Sequence, residues 1–173
     1  MVNQPGAAPA KSPKKKITLE RTFRATAKQV WELWTTRKGL ESWWGPEGFV
    51  TKVNRLEVRP GGKFDYEMTA TGPEQVEAMQ KANLPLTSRA KGTYTEIKGP
   101  HRLIYKTLAD FIPGVTPYEV TTLVEIQIVP GGVRLTVIED VMHNEEWTRM
   151  SEMGMGSSLD RLARIVEGKR GGK

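Results

Sequence analysis

The feature that most limits what this chain can fold into is a change of period along it. Seven segments alternate apolar and polar residues, most of them closed by Gly- or Pro-rich breakers, and the chain then ends on one long stretch of helical period. A period of two hides one face of a strand, and a period of 3.6 hides one stripe of a helix. Strands joined by tight turns pair antiparallel. Their shared apolar face needs a cover, and the closing helix is the longest element able to supply one.

Ile17-Thr-Leu-Glu-Arg-Thr-Phe23 alternates as a half-buried strand does. Thr26 stands where a helix N-cap belongs, ahead of Val30, Trp31, Leu33 and Trp34 at near-helical spacing. A second short helix is expected over 37–44, closed by Gly45-Pro46. Strands over 49–58 and 63–69 flank Arg59-Pro-Gly-Gly62. Segment 71–86 breaks the strand pattern, and its piece from Pro73 to Ala82 reads as a short helix or as an excursion without fixed form. Strands resume over 89–97, 102–108, 118–129 and 133–139, the last pair joined by Pro130-Gly-Gly132. Asn144 caps the closing helix, with Glu145 and Glu146 in its positive first turn, and the helix is expected to stop at Gly168. The fold class is therefore α+β: a curved antiparallel sheet, two short helices after the first strand and a long C-terminal helix across the sheet.

That helix carries a divided stripe. Met155, Leu159, Leu162 and Val166 continue it in the C-terminal half, whereas Trp147, Ser151, Gly154 and Ser158 occupy the same face earlier. Small residues there mean either close helix–sheet contact or a gap between the two. Met150 and Met153 flank the stretch and suit varied apolar shapes.

The net charge of +6 belongs to the ends. Residues 1–16 and 168–173 hold seven of the 26 basic residues and no acid, so the body from 17 to 167 is nearly neutral. Both ends have the composition of solvated tails, and attraction to polyanions through them is weak and non-specific. Cysteine is absent, which excludes disulfides, thiolate catalysis and cysteine-ligated metals. No apolar run is long enough for a membrane span, and the N-terminus lacks a secretory apolar stretch, so a cytoplasmic location is expected.

Few residues offer catalytic chemistry. His101 falls in a turn and His143 just before the last helix, without metal-ligand spacing or a His-Glu-x-x-His pattern. Glu139 and Asp140 are adjacent in a strand and so face opposite ways. Glu57 and Arg59 share a face and suit an ion pair. Trp31 and Trp34 share one helix face, Phe64 and Tyr66 one strand face, and Leu103 and Tyr105 another. Trp43 and Trp44, as neighbours on a helix, are not expected to point inward together: one is expected to pack while the other closes the end of a cavity or lies exposed.

The strand ending in Phe23, then Val30-Trp31, then Leu40-Glu-Ser-Trp-Trp44, then Glu57-Val-Arg-Pro-Gly-Gly62 leading into Phe64, with the late hairpin and the closing helix, resembles the START-like helix-grip superfamily. Within it, the chain is most similar to homologues of the activator of the heat-shock chaperone ATPase. The resemblance spans about 17–167 and implies one domain there, with a hydrophobic cavity between sheet and helix. It supplies no catalytic set, and 71–86 departs from the compact hairpin it implies at the cavity mouth.

The first reading is a binding protein for an apolar small molecule, without cofactor or metal. Its wall is expected to include Trp43, Phe49, Phe64, Tyr66, Tyr105, Met150, Met153 and Gly154. A chaperone-modulating interaction protein is the second reading. A cavity enzyme of cyclase, aromatase or hydrolase type is the third, with Asp110, His143 or a tyrosine as its acid or base. Specific nucleic-acid binding is not expected, and the chain is expected to be a monomer or weak homodimer.

Overall fold

A computed structural model describes residues 15–168. The tails expected at 1–16 and 168–173 lie outside the described residues, apart from Lys15, Lys16 and Gly168. The elements in order are β1 (Lys16–Phe23), α1 (Ala27–Thr35), α2 (Arg37–Trp43), β2 (Phe49–Leu56), β3 (Lys63–Ala70), α3 (Pro73–Lys81), β4 (Thr87–Lys98), β5 (Arg102–Ala109), β6 (Tyr118–Val129), β7 (Gly132–Asp140) and α4 (Glu145–Gly168).

The seven strands form one antiparallel sheet in the order β1-β7-β6-β5-β4-β3-β2. Helices α1 and α2 carry the chain from one edge of that sheet to the other. The remaining strands follow as a meander, and β7 returns to pair with β1. The register shifts between Val53 and Arg55 and between Tyr94 and Glu96. Such irregularities bend and twist a strand, which helps the sheet curl around a helix. Around the first shift the Val53 backbone is held by side chains of α2: Arg37 donates to its carbonyl at 2.6 Å and its N–H donates to Glu41 at 2.9 Å.

Local signals act as the sequence predicts. Thr26 and Gln29 form a reciprocal capping box at α1. The Asn144 side chain accepts from the Trp147 N–H at 2.8 Å, capping α4. The inward row of β7 is Val133, Leu135, Val137 and Glu139, all buried. The C-terminal half of α4 drives Leu159, Leu162 and Val166 into the core beside Phe23, Val30 and Trp34. Segment 71–86 resolves in favour of a helix, α3, with no fully buried residue. Just ahead of it, the N–H groups of Thr71 and Gly72 donate to the Gly48 carbonyl, tying the segment to the loop before β2.

The tryptophan pair differs from expectation. Helix α2 ends at Trp43, and Trp44 is already extended, with φ −63° and ψ 133°. A helical pair diverges by about 100°, but this break lets both rings reach the interior. They meet edge to face at 5.2 Å, and Trp34 lies 4.8 Å from Trp43.

Candidate functional site

The space between the sheet and α4 is filled at one end and open at the other. At the filled end, Trp34, Trp43, Trp44, Phe64, Tyr66, Tyr94 and Tyr105 form a continuous aromatic cluster. Gly92 makes part of it possible. A Cβ there would stand 2.3 Å from the Phe64 ring, so only glycine lets that ring lie across β4. The void left inside the cluster is about 40 Å³, room for little more than one water.

Beyond Trp44, Tyr66 and Tyr105 the space widens into a cavity of about 300 Å³. Its floor comes from β3 to β7, through Met68, Ala90, Thr107, Val120, Thr122 and Glu139. Its roof is α4, through Ser151, Gly154, Met155 and Ser158. A Cβ on Gly154 would meet nothing within 4 Å, so small residues here mark open space and not close contact. Phe111 and Met142 also border the cavity. Phe111 is 47% exposed and lies 5.8 Å from the ring of Trp147, in the first turn of α4. None of the cavity-lining residues comes from α3.

Arg161 holds the roof in place. Its guanidinium donates to the carbonyls of Gly45, Pro46 and Phe49 at 2.8, 3.1 and 3.0 Å. That links α4 to the loop after α2 and fixes the cavity's edge at Gly45 and Pro46. Ser157 adds a contact by accepting from the Glu47 N–H at 2.9 Å.

The polar groups facing this space are few. Glu139 is 8% exposed, and the Ser151 hydroxyl donates to it at 2.6 Å. Burial pushes its carboxyl above the usual range; Ser151 works against that, and the adjacent Asp140 adds to it. Asp140 points the other way, pairing with Lys16 and accepting from the Thr121 N–H at 3.0 Å. The Tyr105 hydroxyl and the Trp44 indole N–H are buried and, among the described residues, neither has a partner of good hydrogen-bond geometry. Burial raises the Tyr105 phenol well above its ordinary value, and that of Tyr66 to about 12.

Of the residues singled out from sequence, Tyr66, Tyr105 and Gly154 line the large cavity, while Phe64 lines the small one. Trp43 sits wholly in the core, its indole donating to the Leu33 carbonyl at 2.8 Å. Phe49 is half-buried at the start of β2 and borders neither cavity. Met150 and Met153 project to solvent, 48% and 67% exposed. The helical phase that turns Ser151, Gly154 and Ser158 inward turns those two outward, and Met155 is the α4 methionine that lines the cavity.

Glu139 was legible as the fourth inward position of β7, but as one of two neighbouring carboxylates it did not stand out. Of the catalytic candidates, Asp110 is exposed on the loop after β5. His143 is exposed, with its Nδ1 3.0 Å from the Tyr118 hydroxyl. His101 caps a turn, its Nδ1 3.3 Å from the Ile126 carbonyl. Glu57 and Arg59 form the expected ion pair at 3.0 Å, on a solvated face. Among the described residues no group of three or more His, Asp or Glu could hold a metal ion. No described helix is long and apolar enough to cross a membrane.

The family model described as Activator of Hsp90 ATPase homolog 1-like protein matches residues 24–167. A crystal structure from Chromobacterium violaceum is similar at 24% identity, covering 88% of this chain and 96% of that one, with a TM-score of 0.73. The AHSA1 protein from Silicibacter pomeroyi is 21% identical over 90% of this chain and 99% of its own, with a TM-score of 0.69. An AHSA1-like protein from Aeromonas hydrophila is 20% identical over 90% and 94%, also at 0.69. No curated protein matches. At these identities the structural neighbours establish the fold alone.

Proposed function

The chain belongs to the Activator of Hsp90 ATPase homolog 1-like family, and from that premise we propose that it binds a mostly apolar small molecule between the sheet and the N-terminal half of α4. One observation carries the reading: a 300 Å³ cavity roofed by Ser151, Gly154, Met155 and Ser158 in the same helix whose other half is fully packed. That volume is at the small end of ligand pockets, which run from about 300 to 1,000 Å³. Methionine sulfurs and aromatic faces supply an adaptable wall. Tyr66, Tyr105 and Gly154 are the contacts retained from the sequence, joined by Trp44, Met68 and Met155.

The test is titration with neutral N-phenylnaphthylamine, whose fluorescence rises in apolar surroundings. A saturable rise is expected for the native protein and its loss for Gly154→Leu, which fills the space. No saturable rise, or an equal rise in a folded Gly154→Leu protein, overturns the reading. Modulation of a chaperone ATPase rests on the family description alone, and it predicts a change in chaperone turnover that does not depend on the cavity. A catalytic role would fall to Glu139, the buried acid facing the cavity, and not to the exposed His143.

A further inference from the structure

Glu139 sits awkwardly for a residue that only packs. It ends an inward row of Val133, Leu135 and Val137, and like them it is buried, with 8% of its surface exposed. Ser151 is the one hydrogen-bond donor it has among the described residues, to a single carboxylate oxygen. No Lys, Arg or His pairs with it there. The lysine next to its strand partner Ile17 and the arginine on the cavity wall are engaged elsewhere: Lys16 with Asp140, Arg89 with Asp65. A buried carboxylate with one hydrogen bond and no counter-charge is costly to a fold.

What surrounds the carboxylate is suited to a cation. Trp44, Tyr66 and Tyr105 line the same cavity, and aromatic faces attract positive charge, more strongly where water is excluded. The buried Tyr105 hydroxyl has no partner of good geometry among the described residues, and its oxygen can accept a hydrogen bond. Arg89 is the one basic residue on the wall, and its guanidinium is held by three hydrogen bonds to Asp65. An acidic ligand would set its charge against Glu139, and an alcohol would leave the carboxylate without a counter-charge.

We propose that the ligand is an apolar amine, its alkyl or aryl body in the cavity and its ammonium between the Glu139 carboxylate and the faces of Trp44, Tyr66 and Tyr105. This rests on the cavity being a ligand site, and it adds the chemical class of the ligand. Ser151 is a positioning residue, fixing one carboxylate oxygen so that the other is presented to the ammonium.

The experiment compares octylamine, octanol and octanoate as competitors of bound N-phenylnaphthylamine at pH 7 and low salt. Octylamine is expected to bind about tenfold or more tightly than octanol, with octanoate weakest. In Glu139→Gln the amine and the alcohol should fall within about threefold of each other, under 1 kcal/mol. Unchanged octanol affinity in that variant shows that the cavity is intact. Octanol binding as tightly as octylamine to the native protein overturns the proposal while leaving the ligand site standing. So does an amine preference that survives Glu139→Gln. If none of the three competes, the cavity reading itself fails.

Discussion

The two halves of α4 lie over the same sheet and do opposite things. From Leu159 onward the helix presses large aliphatic side chains into β1, α1 and α2, leaving Leu159 and Leu162 with no exposure. Up to Ser158 the inward positions are mostly small, Ser151, Gly154 and Ser158 with Met155 among them, and the helix roofs a void. The filled half holds the helix on the sheet, so the other half can forgo burial. Arg161 stands at the boundary and ties the helix to the loop after α2. Packing is concentrated in one half, and the other half leaves the space that the proposed ligand would fill.

Leu162→Ala should break the comparison most severely. It removes a fully buried side chain from the packed half and should cost about 2–5 kcal/mol in urea unfolding. Ser158→Ala, one turn earlier, deletes only a hydroxyl that donates back to the Gly154 carbonyl at 2.8 Å, and should change stability by less than about 1 kcal/mol. Equal costs at the two sites would mean that the helix is packed alike throughout.

Gly154→Leu comes next. It should weaken probe binding at least about tenfold, or 1.4 kcal/mol, with stability kept or raised, because mid-helix glycine costs about 1 kcal/mol relative to a good helix former. A loss of more than about 2 kcal/mol in stability would point instead to overpacking, and so to close contact where the cavity now lies.

Glu139→Gln sharpens the contrast through pH. Burial raises this carboxyl above the ordinary glutamate value of 4.5. Between 4.5 and the raised value, the folded protein keeps a proton that the unfolded chain has released, so stability falls as pH rises across that interval. Removing the group should make the variant more stable than the native protein at pH 8, with the gain shrinking toward pH 4. Urea midpoints at the two pH values check this, and a gain that does not vary with pH would contradict it. The smallest effect is expected at the exposed histidine: His143→Ala should leave probe affinity within about threefold, under 1 kcal/mol.

Much of the fold was legible because its signals are local. Alternation, Gly/Pro turns and the caps at Thr26 and Asn144 each act within a few residues. The divided stripe of α4 was legible too, but the sequence could not decide between contact and gap, since that depends on how far a curved sheet stands from the helix. The errors were of phase and of helix ends. Met150 and Met153 flank Ser151 and Gly154 in sequence, yet they project outward when the small residues turn in. Trp43 and Trp44 both reach the interior because α2 stops between them. Glu139 followed from parity along β7, but its lack of a cationic partner among the described residues depends on where Lys16 and Arg89 end up, and both lie far away in the chain.

The central claim, that the open half of α4 receives the ligand, can be read from methionine methyl groups. With 13C-methyl methionine, titration with octylamine should shift and broaden the signals of Met68, Met142 and Met155, which line the cavity. Those of Met150 and Met153, on the solvent face, should stay in place. Shifts confined to Met150 and Met153, or no shifts at saturating octylamine, would contradict it.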